Sequence, residues 1–346
     1  MTGSKDYYRG KVVLVTGGVG SIGSEITRKL LIHGPAAVRV LDNNETGLFH
    51  LEQELGNRIR PFVGDIREES RLRRAMEGVD IVFHAAALKH VPLCEYNPFE
   101  AVKTNVLGTQ NLLNSAVDEE VDKVITVSTD KAVSPANVIG ATKLLAERLT
   151  VSANLYKGKR RTAFSCVRFG NVTDTRGSAI PLFKEQIMRG GPLTVTDPDM
   201  TRYLMDISEA VSLMLKAAEL SHGGEIFIFK LPAVRLGDLA DVMVEKLAPR
   251  YGFRPQDIEV KIIGPRAGEK LHEDLLTEED LQTAYESDEM FVVLSRTPAG
   301  EVQAPPGGGF FHVDGATRSS KYARMLSREQ IAALVEEPDE APGGGR

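Results

Sequence analysis

An apolar run at 124–127, Val-Ile-Thr-Val, gives way to Ser128, Thr129, Asp130 and Lys131. The β-branched run reads as a buried strand. An adjacent acid and base just past a strand's carboxyl end suit proton transfer in both directions. Ser134 and Pro135 then turn the chain, and a helical pattern from about Asn137 carries a further cation, Lys143. The competing reading of Asp130 and Lys131 is a solvated loop with a surface ion pair and a helix-capping aspartate.

A second set of residues suits a dinucleotide. Gly17, Gly20 and Gly23 stand between an apolar strand at 12–15 and a helical pattern at about 24–33. Glycine permits a tight turn and close approach to a pyrophosphate, and the helix start adds N–H groups and partial positive charge. Thr16 opens this turn, and Ser21 and Ile22 lie within it. Asp42 ends the second strand, about twenty residues on, where a carboxylate can hold ribose hydroxyls. Asp65 and Ile66 end the third strand near where an adenine would lie, and Ala85 and Ala86 follow the fourth. Asp42 repels a 2′-phosphate and Asn43-Asn44-Glu45 offers no cation, so NAD is favoured, with NADP left open. A purely structural glycine turn is the alternative.

The elements that must position these residues alternate. Strands are expected at 12–15, 38–41, 60–63, 80–84, 124–127 and 163–168, with helices at 24–33, 48–55, 69–76, 98–116 and 142–154. That is an α/β chain with a Rossmann-type doubly wound parallel sheet. After 172 the alternation loosens. Helices are expected at 180–189, 208–219, 236–247 and 278–283, and strands at 225–230 and 259–263. The expected organisation is a dinucleotide-binding domain over 1–172, to which 206–230 returns. A smaller α/β substrate lobe would cover 173–335, with a Pro/Gly-rich loop at 297–309 and a disordered tail at 336–346.

Composition sets outer limits. The chain has 346 residues, 42% hydrophobic and 26% charged, enough for two lobes. A net charge of −6 does not favour nucleic acid. Two cysteines make no disulfide framework, which points to a reducing, cytoplasmic setting. No apolar stretch of about twenty residues occurs, so neither a membrane span nor a signal peptide is expected. Seven histidines show no metal-ligand spacing, so no metal is expected.

The spacing G-x-x-G-x-x-G and the lysine on the helix after the fifth strand resemble the extended short-chain dehydrogenase/reductases. The match narrows with HAAALKHVPLCEYNPFEAVKTNVLGTQN, STDKAVSPANVIGATK, VRFGNV with RGSAIPLF, DPDMTRYLM and RAGEKLHEDLL. These resemble the sugar-nucleotide 4,6-dehydratases of bacterial and archaeal surface polysaccharide synthesis, above all UDP-N-acetylglucosamine 4,6-dehydratases, including the inverting kind that opens pseudaminic acid synthesis. The likeness covers about 12–294.

The resemblance implies a UDP-sugar substrate and a cofactor that takes a hydride from sugar carbon 4 and returns it to carbon 6. It implies Asp130 as acid for the departing 6-hydroxyl, Lys131 as base at carbon 5, and Lys143 holding the nicotinamide ribose. Thr129 would bond the 4-oxygen with Asp130 behind it. Lys89 and His90 could line the sugar pocket, although capping or packing suits His90 equally. Asn171, Arg202 and Arg266 are candidates for the nucleotide diphosphate, with surface arginine as the other reading. Asn105 reads as structural support, and Glu269 and Lys270 could simply pair across their loop. Ile139 stands where the family's tyrosine would precede Lys143 by four residues, and it cannot accept a proton. A sugar-nucleotide 4-epimerase and a catalytically inactive dinucleotide-binding regulatory protein are the rival readings. By analogy a homo-oligomer is expected, packed through the helices at 98–116 and 142–154.

Overall fold

The structure, a computed structural model, describes residues 7–173, 178–266, 268–295, 305, 307, 309–313 and 318–335. Two units divide the chain. The first comprises Met1–Gly170, Ile207–Lys230 and Asp274–Ser319, and the second Asn171–Asp206, Leu231–Glu273 and Ser320–Arg346.

The first unit is built on a ten-stranded sheet. Strands β1 (Val12–Thr16), β2 (Ala37–Asp42), β3 (Ile59–Val63), β4 (Ile81–His84), β5 (Lys123–Val127) and β6 (Ala163–Arg168) run parallel in the order β3-β2-β1-β4-β5-β6. Glu225–Phe229 adds a further parallel strand beside β6. Both faces of the central strands are buried, which is why β4, β5 and β6 read as runs rather than alternations. The strand order reverses between β1 and β4, and ligands of open α/β sheets bind in the crevice outside the strand ends at such a point.

The sheet is longer than the sequence led us to expect. Met290–Leu294 pairs antiparallel with Glu225–Phe229, and Ala284–Glu286 and Phe311–His312 follow it. Residues 274–319 therefore group with the first unit and not with a lobe spanning 173–335. The buried run MFVVL finds its neighbour in EIFIF. Antiparallel neighbours need no crossover helix, so the alternation gave no sign of it.

The long helix expected at 98–116 changes register along its length. It is α-helical over Pro98–Ala101, π-helical over Val102–Gly108 and α-helical again over Thr109–Asp118. The helix Val138–Tyr156 starts at a cap, where the Asn137 side chain accepts the Gly140 N–H at 2.9 Å.

In the second unit Thr201–Met205 pairs with Ala233–Arg235 and Asn171–Val172, and Val260–Ile262 pairs with Leu193–Val195. Helices Ala179–Met188, Leu236–Leu247 and Arg328–Val335 pack a core that includes Phe183, Ile187, Leu239, Met243 and Ile331. Most of these strands span two or three residues, too short for a period to show. The helix expected at 278–283, in the first unit, is the single turn Glu278–Leu281, closed by a capping box between Thr277 and Asp280. The tail at 336–346 and most of the loop at 297–309 lie outside the described residues.

Candidate active site

The glycine turn is formed by contacts that exclude side chains. Gly17 has φ +65°, and a Cβ there would stand 2.6 Å from the backbone of Ala86. A Cβ on Gly23 would stand 2.3 Å from the Gly17 carbonyl oxygen. Gly20 has more room, its nearest contact being 3.1 Å. Gly18 is a further crowded glycine that the spacing argument passed over, because its Cβ would lie 2.2 Å from the Val40 side chain, far away in sequence. Thr16 is buried, and its carbonyl accepts the Ala85 N–H at 3.1 Å, which ties the turn to the run after β4. Ser21 and Ile22 open the helix Ser21–Ile32, whose N-terminus has no capping side chain.

Asp42 anchors this turn from the end of β2. One carboxylate oxygen accepts the Val19 N–H at 3.1 Å and the other the Asn44 N–H at 3.0 Å. Each oxygen keeps a further lone pair for a hydroxyl. Asp65 accepts the Arg67 N–H at 2.9 Å and pairs with its guanidinium at 2.6 Å. The bond from Arg67 holds the Asp65 carboxyl below the usual range. The Ile66 side chain is buried in the core, so only its backbone can address a base. A crowded glycine cradle, an uncapped helix start and an anchored carboxylate fit a dinucleotide.

Past β5 the chain forms a 3₁₀ turn, Asp130–Ala132. Asp130 is wholly buried, and its N–H donates to the Phe169 carbonyl at 3.0 Å. Its Oδ1 accepts the Thr129 hydroxyl at 2.9 Å and the Lys131 ammonium at 3.0 Å. Its Oδ2 is buried with no hydrogen-bond partner among the described residues, and so is the Ser128 hydroxyl. An unmet buried acceptor costs about 1–3 kcal/mol, so such an oxygen suits a site completed by a ligand. The solvated surface pair considered above does not describe this carboxylate.

Lys143 lies two turns into Val138–Tyr156 and donates to the Val127 carbonyl at 3.0 Å. Burial pulls its ammonium down to about 8, with Cys166 and Glu147 drawing it partly back. Ile139 is buried in a small apolar cluster with Cys94 and Ala101, against Val91 and Val138. Asn105 holds the segment after β4, where its Oδ1 accepts the Leu88 N–H at 2.8 Å and its Nδ2 donates to the Leu88 carbonyl at 3.1 Å. Lys89 and His90 are exposed, and His90 occupies the cap position of Val91–Tyr96 without a side-chain cap bond. His84, which the sequence reading passed over, ends β4 fully buried. A polar residue closing an apolar strand was its one available signal.

The second unit holds the three residues assigned to a diphosphate. Asn171 pairs with Leu204. Arg202 is buried, and its guanidinium donates to the carbonyls of Thr201, Leu271 and Lys270 at 2.8, 3.2 and 2.9 Å, with Glu269 at 3.6 Å. In this arrangement Arg202 staples the 269–271 segment and does not offer a fork to phosphate. Arg266 is exposed, in a turn where its N–H donates to Glu269 at 3.1 Å. Glu269 thus faces Arg202 and the Arg266 backbone, while Lys270 lies 3.8 Å from Glu273.

Comparisons with known proteins show what the whole chain is similar to. A family model described as polysaccharide biosynthesis protein matches residues 13–295. A relative from Methanocaldococcus jannaschii, named only as an uncharacterized membrane protein, is 60% identical and covers 96% of this chain and 97% of its own. A UDP-N-acetylglucosamine 4,6-dehydratase (inverting) from Campylobacter jejuni is 42% identical over 83% of each chain. A UDP-glucose 4-epimerase from Rickettsia conorii is 39% identical over 79% of this chain and 80% of its own. Pen from Bacillus thuringiensis superimposes with a TM-score of 0.86 at 41% identity, covering 95% of this chain and 98% of that one. DesIV, a dTDP-glucose 4,6-dehydratase from Streptomyces venezuelae determined with NAD, gives a TM-score of 0.68 at 27% identity, covering 75% and 86%. No helix among the described residues is long and apolar enough to cross a membrane. The chain belongs to the polysaccharide biosynthesis protein family of the extended short-chain dehydrogenase/reductases.

Proposed function

We propose that the protein is an NAD-dependent sugar-nucleotide 4,6-dehydratase acting on UDP-N-acetylglucosamine. The observation that carries this reading is the buried Asp130 carboxylate, with one oxygen held by Thr129 and Lys131 and the other unmet. An epimerase needs no acid at the sugar's 6-hydroxyl, whereas a dehydratase does.

Thr16, Gly17, Gly20, Ser21, Ile22, Gly23, Asp42 and the backbone at 65–66 and 85–86 would hold the cofactor, with Lys143 at its ribose. Bound there, the nicotinamide supplies a hydride acceptor for carbon 4 and a hydride donor for carbon 6. Thr129 would pass the 4-hydroxyl proton to Asp130, 2.9 Å away, so no tyrosine is required at position 139. Lys143 keeps positive charge beside the developing oxyanion. With Asp130 protonated, Lys131 loses its counter-charge, releases its ammonium proton to water and, as the neutral amine, takes the carbon-5 proton. Asp130 then gives its proton to the departing 6-hydroxyl, which leaves as water. Lys131 returns a proton to carbon 5, and the face from which it does so sets inversion or retention. With Asp130 a carboxylate again, Lys131 recovers its proton from water, and each group ends as it began.

The reading extends to a homo-oligomer. Phe99, Leu107, Leu145 and Leu155 are exposed on the helices at 98–118 and 138–156, and an oligomer would cover them. Equilibrium sedimentation tests that part, with a monomer at micromolar concentration counting against it. Free, buried Cys94 and Cys166 support a cytoplasmic setting.

Incubation with UDP-N-acetylglucosamine followed by the alkaline absorbance of 4-keto sugars tests the reaction. A 4-keto-6-deoxy product is expected. Conversion to the 4-epimer without it would favour the epimerase, and no conversion with intact NAD binding would favour the regulatory protein.

A further inference from the structure

A buried chain of hydrogen bonds runs through the first unit, and beyond Thr16 the chemistry proposed above makes no use of it. It starts at Thr16, whose hydroxyl lies 2.8 Å from His84 Nδ1. His84 Nε2 lies 3.0 Å from the Thr109 hydroxyl, which donates to the Asn105 carbonyl at 2.7 Å. Asn105 Nδ2 donates to the Thr142 hydroxyl at 3.1 Å, and Thr142 donates to the Ile139 carbonyl at 3.0 Å. All five side chains are buried.

Proton counting gives the chain a direction. A hydroxyl has one hydrogen, and that of Thr109 is committed to Asn105. His84 Nε2 must therefore carry a proton and donate, and Nδ1 must accept from Thr16. Burial, helped by the nearby charge of Lys143, pushes the imidazole down to about 3, so the ring is neutral as this arrangement requires. Every link then donates in one sense, from the glycine turn to the start of Val138–Tyr156.

The route crosses two unusual places. Thr16 and His84 are register partners across β1 and β4, where the strand order reverses. Asn105 lies in the π-helical segment Val102–Gly108, a geometry that is rare in proteins and frequent at functional sites. Asn105 also grips Leu88 through both its amide atoms, so the segment after β4 joins the same network.

We infer that His84 is a positioning residue, setting the glycine turn in register with the helix that carries Ile139 and Lys143, through Thr16 on one side and Thr109 on the other. The consequence is a single relative placement of cofactor and proton-handling groups. The inference deepens the dehydratase reading and rests on it only where a reaction rate is measured.

Three variants test it. His84→Gln keeps one acceptor and one donor, His84→Met keeps neither, and Thr109→Val cuts the chain without touching the sheet. In single turnovers with UDP-N-acetylglucosamine, His84→Met and Thr109→Val should slow NAD reduction by at least about tenfold, while NAD affinity stays within about threefold and His84→Gln stays near wild type. A merely structural histidine would lower stability without this split. A substrate-free measurement uses ADP as the probe, since it can occupy only the glycine-turn side. ADP should slow amide exchange in the first two turns of Val138–Tyr156 in the wild type and His84→Gln, and not in Thr109→Val. Nitrogen NMR should find the Nε2–H tautomer. A proton on Nδ1, or a folded Thr109→Val with wild-type hydride transfer and wild-type ADP protection, would overturn the inference. A wild type that never reduces NAD would defeat the dehydratase reading alone, and the ADP experiment would still decide the role of His84.

Discussion

A Cβ on Gly140 would lie 2.3 Å from the carbonyl oxygen of Lys131. The first turn of Val138–Tyr156 is therefore seated directly on the backbone of the Asp130–Ala132 turn, with Pro135 closing the other side. The helix that carries Lys143 and the turn that carries Asp130 and Lys131 meet with no side chain between them.

Gly140→Ala tests that seat. The carbonyl belongs to backbone and cannot swing aside, so the turn must shift, at about 1–3 kcal/mol of stability. Product formation should fall by at least about tenfold, with NAD affinity nearly unchanged because the glycine turn is untouched. Parallel melting and turnover measurements check both parts, and a folded variant with normal turnover would refute the seating argument.

Asp130→Asn and Lys131→Ala should still bind cofactor and sugar nucleotide. Each should lose the 4-keto-6-deoxy product by at least about a hundredfold, the usual scale for a general acid or base. Near-normal turnover in both would remove them from the mechanism.

Ile139→Tyr should bring no gain. Its cluster with Cys94 and Ala101 has no room for a phenol without repacking, so a lower melting temperature is expected as well. Thr129→Val, which breaks the 2.9 Å link to Asp130, should slow cofactor reduction in a single turnover. If Ile139→Tyr instead speeds that step tenfold or more, about 1.4 kcal/mol of barrier, the natural site is impaired and the regulatory reading gains.

NAD should bind more tightly than NADP. Asp42 is locked in place by the Val19 and Asn44 N–H groups, so its charge cannot withdraw from a 2′-phosphate. Titrating both cofactors checks this, and equal or tighter NADP binding would sink the assignment.

Lys143 predicts a stability change with pH. Its ammonium is drawn down to about 8 from 10.5 by burial. Between those values the unfolded lysine holds a proton that the folded one has released, so stability rises with pH across that window. Lys143→Met should flatten the rise, measured as denaturation midpoints at several pH values. Cofactor reduction should fall over the same range, as positive charge beside the oxyanion is lost.

The sequence alone determined the parallel core strands, the glycine turn, Asp42 at the end of β2 and the position of Asp130 and Lys131 just past β5. Each is written within about ten residues, as an apolar run, a turn chemistry or a cap, and local signals of that length survive without partners. Thr129, Asp130, Lys131 and Lys143 were legible for that reason, as was Asn105 as a support.

Tertiary structure decided the rest, because burial and hydrogen bonding are properties of pairs. Gly18 is crowded only because Val40 lies against it, and Gly140 only because Lys131 does. MFVVL became an inner strand of the first unit only where EIFIF offered it an edge. Arg202 carried the same guanidinium in either reading, and the carbonyls of 270 and 271 committed it to holding a loop. His84 looked like the end of a strand until Thr16 and Thr109 arrived on its two nitrogens. Only the folded chain brings those partners within hydrogen-bond reach of one ring, and their single hydrogens then leave it one tautomer.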